Sequence, residues 1–270
     1  MQIVRDDTPL YYTMMGAGPD VVLLHPTPVH HGFWLPVAKL LADRYRLLLP
    51  DLRGHGLSGL GSGPLTMDKL ARDVHIILQT EKIQRAAFVG CSIGCNVMFE
   101  HWRRFPQEVA ALAFTCGRPQ PDSDANRERR HEWMREARRD GGPARFFDLM
   151  ANTLVGPTCA RRHPEKRAAL RAMMDAVTLE AMQAVQQGLM LRPDSVPTLG
   201  TMTVPVCAVA GGEDPSSPPE DVRTIAENVP GAQFHLIADA GHFAPYEQPE
   251  TVAKILGDFL DAHYRVAATQ

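Results

Sequence analysis

A chain of 270 residues, 44% apolar and 22% charged, is long enough and ordinary enough in composition to form one large globular domain, or one domain with an insertion. Its 28 basic and 31 acidic residues leave a net charge of −3, which argues against a nucleic-acid or membrane-surface partner. No apolar run approaches the ~18 residues of a membrane span. The opening MQIVRDDTPLYY has neither the basic start nor the apolar core of a secretory leader. The five cysteines (Cys91, Cys95, Cys116, Cys159 and Cys207) form no C-x-x-C, so buried free thiols in a reducing cytoplasm are expected.

In chain order, residues 2–4 and 10–14 read as an opening strand pair, with a turn at Gly16-Ala17-Gly18-Pro19. Residues 21–24 are a continuous apolar run, the mark of a strand buried on both faces. It ends in His25-Pro26-Thr27-Pro28, and a helix follows over 35–43. A second buried strand, 46–49, runs into Pro50-Asp51-Leu52-Arg53-Gly54-His55-Gly56. Residues 66–82 place Met67, Leu70, Val74, Ile77 and Leu78 on one helical face. A strand at 86–89 then leads through Gly90-Cys91-Ser92-Ile93-Gly94 into a helix starting near residue 93, followed by a strand at 109–115. This alternation implies an α/β fold: a mostly parallel sheet with helices on both faces, whose ligands bind beyond the carboxyl ends of the strands.

From 118 to 202 the pattern changes: no buried strand appears, and helical patterns run over 128–139, 144–154, 164–177 and 179–191. The segment is predicted to be an inserted helical cap subdomain, with the core domain made of 1–117 and 203–270. Its arginines, among them Arg118, Arg127, Arg129, Arg130, Arg135, Arg138 and Arg139, suit either an anionic substrate or, as the simpler expectation, solvated faces paired with nearby acids. The sheet pattern resumes with a strand at 206–210 ending in Gly211-Gly212-Glu213-Asp214-Pro215, a helix at 219–228, and a strand at 233–237 ending in Asp239-Ala240-Gly241-His242-Phe243. A final helix covers 249–264.

Three reactive side chains thus follow three different strands. Ser92 sits in G-x-S-x-G between a strand and a helix, the setting of a nucleophile elbow, where only small residues fit two places before and after the serine. A serine hydroxyl needs an imidazole to take its proton, and the imidazole needs a carboxylate to fix its tautomer. His242 and Asp214 are the candidates, and Ser…Asp…His is the chain order of the α/β-hydrolases. Asp239, Asp122 and Asp124 are rival acids. Cys91 and Cys95 flank Ser92 one helical turn apart and read as small packing residues rather than a metal or redox pair. No metal or phosphate-binding constellation is present, and no cofactor is expected.

The stretches VVLLHPTP, RLLLPDLRGHGLSG, FVGCSIG, GGEDPSSPP and AGHFAPYEQPE closely resemble the α/β-hydrolase family over nearly the whole chain. GCSIG and GHFAPYEQPE further resemble its small cofactor-free esterases and lactonases, including 3-oxoadipate enol-lactonases. The resemblance implies that Asp51, Arg53 and His55 form a structural loop and that His25 braces the loop after its strand. It also implies an oxyanion hole from the backbone N–H groups of Ile93 and Thr27. The family's usual His-Gly is here His25-Pro26; proline has no N–H, but Thr27 keeps one. Trp34, Met150, Leu154, Leu189, Met190 and Phe243 are candidate pocket walls, and His30 and His31 candidate entrance residues. The implied function is hydrolysis of a small-molecule carboxylic ester or lactone. Cleavage of a C–C bond, perhydrolysis on the same three residues, and a non-catalytic receptor of this fold are the alternatives. The residues leave the oligomeric state open.

Overall fold

The computed structural model describes residues 1–139 and 142–265. Residues 140–141 and 266–270, which fall within the expected cap and core ranges, lie outside the described residues. The chain opens with β1 (Gln2–Arg5), β2 (Thr8–Met15) and β3 (Asp20–Leu24), then α1 (Leu35–Leu41) and β4 (Arg46–Pro50). Next come α2 (Met67–Thr80), β5 (Ala86–Cys91), α3 (Ile93–Arg104) and β6 (Val109–Thr115). An all-helical stretch follows: α4 (Asp124–Glu136), α5 (Gly142–Leu154), α6 (Pro157–Arg162), α7 (Pro164–Met174), α8 (Leu179–Met190) and α9 (Val196–Leu199). The chain then returns with β7 (Val206–Gly211), α10 (Pro219–Asn228), β8 (Gln233–Ile237), α11 (Ala244–Glu247) and α12 (Pro249–Leu260).

The eight strands form one sheet in the order β1-β2-β4-β3-β5-β6-β7-β8, antiparallel at β1–β2 and β2–β4 and parallel from β4 onward. From β3 the chain steps outward to β4 and then returns to lay β5 on the other side of β3. The crevice between the carboxyl ends of β3 and β5 is therefore the topological switch point, where open α/β sheets bind ligands. Leu24 and Gly90 are register partners there, so the segments after them, Thr27 and Ser92 included, leave the sheet side by side.

Side chains alternate across the sheet, and both faces are covered. Val21, Leu23, Leu47, Leu49, Ala87 and Val89 join one apolar core with α1, α12 and much of the insertion. Val22, Leu24, Leu48, Ala86 and Phe88 join the other with α2, α3 and α10. Burial on two faces is why these strands carry unbroken apolar runs rather than an alternating pattern.

The helices follow their local signals. Thr66, Ser123 and Thr178 cap α2, α4 and α8, their hydroxyls accepting from Lys69 N, Asn126 N and Ala181 N at 3.1–3.2 Å. The Ser123 cap starts α4 at Asp124, ahead of the predicted 128. The helix expected over 249–264 ends at Leu260 and continues as a π-helical turn, Asp261–Arg265. The short α6, α9 and α11 were not legible, because four to six residues are too few to establish a period.

A Cβ on Gly94 would run into the Leu24 carbonyl oxygen and lie 2.9 Å from Leu24 Cβ, both parts of β3, whereas one on Gly200 would meet nothing within 4 Å. Gly94→Ala is expected to cost about 1–3 kcal/mol of stability. Gly200→Ala should be close to neutral. Denaturant midpoints of the two variants check this.

Candidate active site

The site starts from a turn that few residues can make. Ser92 joins β5 to α3 at φ 54° and ψ −114°, a positive φ that costs a non-glycine residue on the order of 1–3 kcal/mol. Its N–H donates to Thr115 O at 3.2 Å, and its carbonyl accepts from Cys95 N at 2.9 Å, which holds the turn between β6 and the first turn of α3. A Cβ on Gly90 would stand 2.5 Å from Met98 Sδ and 2.7 Å from the Gly94 carbonyl carbon. Small residues two places either side of Ser92 are thus a packing requirement. Ile93 is the first residue of α3, where a backbone N–H has no intrahelical partner.

His242, on the loop after β8, turns its Nε2 to Ser92 Oγ at 2.8 Å and its Nδ1 to Asp214 Oδ2 at 2.8 Å. Asp214, after β7, is buried, and its other oxygen accepts from Ser216 N at 2.8 Å and Ser217 N at 3.0 Å. With the carboxylate accepting at Nδ1, the neutral ring carries its proton there, and Nε2 accepts from the serine hydroxyl. The rival acids lie elsewhere. Asp239 is exposed and faces Arg162 at 3.4 Å, Asp124 is exposed in the first turn of α4, and Asp122 is engaged by arginines.

The His242 loop is fastened to the insertion. His242 N donates to Leu154 O at 2.8 Å. The buried Glu247 carboxylate gathers the N–H groups of Gly156 (3.1 Å), Gly241 (2.9 Å) and Phe243 (3.2 Å), while burial pushes its pKa up. Glu213 accepts from Thr158 N at 2.9 Å.

The loop after β3 is braced by two neutral histidines. His25 is fully buried; its Nδ1 donates to Pro26 O at 2.8 Å, and its Nε2 accepts from Leu52 N at 2.9 Å. His55 Nδ1 donates to Arg53 O at 2.9 Å, so its Nε2 must accept from the Thr27 hydroxyl, also at 2.9 Å. Burial pushes His25 down to about 3 and lowers His55 as well, which keeps both rings in these tautomers at neutral pH. Thr27 is thereby locked on the wall of the cavity above Ser92, across a cis Thr27–Pro28 peptide. Arg53 pairs with Asp73 at 2.6 Å, and Asp51 accepts from His31 N, His31 Nδ1 and Leu57 N at 2.7–2.9 Å. His30, His31 and Asp51 are the one cluster of three potential metal ligands among the described residues. His31 and Asp51 already bond each other, and His30 Nδ1 accepts from Gly32 N at 3.1 Å.

A cavity of about 650 Å³, open mouth included, lies over Ser92 and His242. Of the expected wall residues, Met150, Leu154 and Leu189 line it. Trp34 and Phe243 do not: both are fully buried in the core beneath, packed edge-on to Phe33 with centroids 5.3 and 5.8 Å away. Met190 is also off the wall, since one helical position is a rotation of about 100° from Leu189. A second difference concerns charge. Arg118, Arg130 and Arg192 pair with an acid, Asp122, as expected, but they line the cavity largely shielded from solvent, and Arg129, though exposed, lines it too; Arg127, Arg135 and Arg139 are exposed and pair with acids as expected. Trp133, Asn96 and Gln186 also line the cavity, and no local sequence pattern marks them. Only the density of arginine hinted at this wall, and density does not say which way a helix turns. All five cysteines are buried free thiols, with Cys91 and Cys95 packed beneath the elbow. Among the described residues no helix is long and apolar enough to cross a membrane.

Known proteins resemble the chain along nearly its whole length. Pimeloyl-[acyl-carrier protein] methyl ester esterase of Xanthomonas campestris pv. campestris is 30% identical over 266 residues, covering 94% of this chain and 99% of the relative. The structure of a thermophilic esterase from Thermogutta terrifontis, with malate bound, superposes with a TM-score of 0.90 at 31% identity, over 94% of each chain. The enol-lactonase of Burkholderia xenovorans LB400 superposes with a TM-score of 0.89 at 25% identity, over 97% of this chain and all of that one. A profile described as alpha/beta hydrolase fold matches residues 19–249. With the parallel sheet, the strained serine turn and these likenesses together, the chain belongs to the alpha/beta hydrolase fold family.

Proposed function

We propose that this protein is a serine hydrolase that cleaves a small carboxylic ester or lactone through an acyl-enzyme. The observation that carries the reading is the continuous hydrogen-bond path Ser92–His242–Asp214, with both links at 2.8 Å, above a strained turn. Relatives named as esterases and an enol-lactonase support the bond type.

His242 Nε2 takes the Ser92 proton as Oγ attacks the substrate carbonyl, and Asp214 stabilises the imidazolium. The N–H groups of Ile93 and Thr27 receive the developing oxyanion. His242 then protonates the leaving alcohol or enolate, activates a water to attack the acyl-enzyme, and returns the proton to Ser92. Thr27 is the half of the oxyanion hole that rests on His25 and His55: the flanking prolines have no N–H to offer, and the Thr27 hydroxyl is already committed to His55.

A fluorophosphonate probe followed by peptide mapping should label the peptide containing Ser92 and no other. Ser92→Ala should abolish labelling and lower kcat on p-nitrophenyl esters by at least about 10³ while the thermal midpoint stays near wild type; retained turnover would remove Ser92 from the mechanism. Asp214→Asn should cost about 10³–10⁴ in kcat, whereas Asp239→Asn should stay within about twofold of wild type, as expected for an exposed substitution. Equal, mild losses would assign the acid elsewhere. Rates on p-nitrophenyl esters and on lactones of increasing ring size separate the two substrate types.

A further inference from the structure

We propose that the insertion side of the cavity is an oxyanion subsite, so that the molecule presented to Ser92 carries a carboxylate or phosphate group separated from its scissile carbonyl by a short apolar spacer. The part concerning the scissile carbonyl rests on the serine-hydrolase reading; the anion site itself does not.

Charge on this side of the cavity does not balance. Arg118 follows β6, Arg129 and Arg130 lie on α4, and Arg192 follows α8; all four line the cavity. Three of them converge on one carboxylate. Asp122 has a side chain with no exposed surface, and it meets Arg192 at 2.8 Å, Arg118 at 3.0 Å and Arg130 at 2.5 Å. The other acid within reach, Asp221, is 3.8 Å from Arg118. Arg129 has neutral partners, Asn126 Oδ1 at 2.9 Å and the face of Trp133 at 5.3 Å. Four positive charges therefore face two negative ones.

Arg129 is exposed, but solvent does little to screen the other three, which alone outnumber the two acids. The side chains of Arg118, Arg130 and Arg192 are only 15%, 14% and 4% exposed, and a buried charge without its counter-charge is costly. The crowding is visible in the ionisation of the group. Burial, reinforced by Arg130 and Arg118, lowers Arg192 to about 10 despite Asp122 beside it, and the same causes lower Arg129. Asp122 is a positioning residue here. Burial pushes it up, but Arg130 and Arg192 outweigh that and hold it ionised, so it gathers three guanidiniums while neutralising one. An incoming oxyanion supplies the missing charge and accepts the charge-assisted hydrogen bonds that guanidinium geometry favours. Met150, Leu154 and Leu189 line the same cavity with apolar side chains and Trp133 adds its indole ring, a lining that suits a hydrocarbon spacer.

The test compares mono-p-nitrophenyl adipate, which carries a carboxylate, with the neutral p-nitrophenyl heptanoate at low salt. The anionic ester should be favoured in kcat/KM by about tenfold or more, chiefly through KM, as one charge-assisted contact warrants. Arg129→Gln should collapse that ratio. Arg135→Gln, on the same helix but away from the cavity lining, should keep it. Calorimetry of adipate and of inorganic phosphate on the Ser92→Ala variant distinguishes the carboxylate from the phosphate as the occupant. Turnover of both esters with no preference, together with no binding of either anion, overturns the subsite and leaves the hydrolase reading intact. Anion binding that is lost in Arg129→Gln, without turnover of either ester, overturns the hydrolase reading and leaves the subsite standing.

Discussion

The chemistry this molecule is suited to depends on Ser92 being held at a positive φ at the end of the central parallel strand. The turn is tight enough that a Cβ on Gly90 or Gly94 would run into Met98 or the backbone of β3, and strong enough because Thr115 O and Cys95 N grip the serine backbone on either side. Strain of this kind persists only where surrounding packing over-determines it. Here that packing comes from β3, β5 and β6, which are covered on both faces. The same turn starts α3, so one local conformation lifts the hydroxyl off the sheet and leaves the Ile93 N–H unpaired beside it.

The remaining parts are brought to that turn by long-range hydrogen bonds. The insertion meets the His242 loop at the junction of α5 and α6, where Leu154 O, Gly156 N and Thr158 N bond His242, Glu247 and Glu213. The elements at the far side of the insertion, α4 and the end of α8, carry the arginine wall. A single helical insertion therefore meets the proposed base at one junction and lines part of the cavity with arginine at the other. On the opposite flank, His25 and His55 have an analogous bracing task. Deep burial keeps them neutral, and neutrality is what allows each ring to donate at one nitrogen and accept at the other.

Much of this was legible in the residues alone. Apolar runs at 21–24, 47–49, 86–89, 109–114 and 206–210 place parallel strands, because a strand buried on two faces needs apolar side chains on both. The small residues around Ser92 identify the elbow through a packing requirement that shows directly in composition. The order of Ser92, Asp214 and His242 after three different strands then predicts their convergence. What the residues left open is where helical side chains face. Trp34 and Phe243 have the chemistry of pocket walls and the positions of core, and Met190 differs from Leu189 only by its rotation about α8.

The arginines show the division most sharply. Their number between 118 and 139 is plain from the chain, but a guanidinium on a helix is equally at home in water or against a cavity, and periodicity does not distinguish the two. Only the tertiary structure decides that Arg118, Arg130 and Arg192, separated by tens of residues, share the one buried carboxylate of Asp122 while Arg127 and Arg135 stay in solvent. The reason is physical. Strand burial and turn geometry are local constraints that each residue must satisfy where it stands, and so they are written in the chain. Charge balance in a cavity is a sum over elements that meet only when the fold is complete.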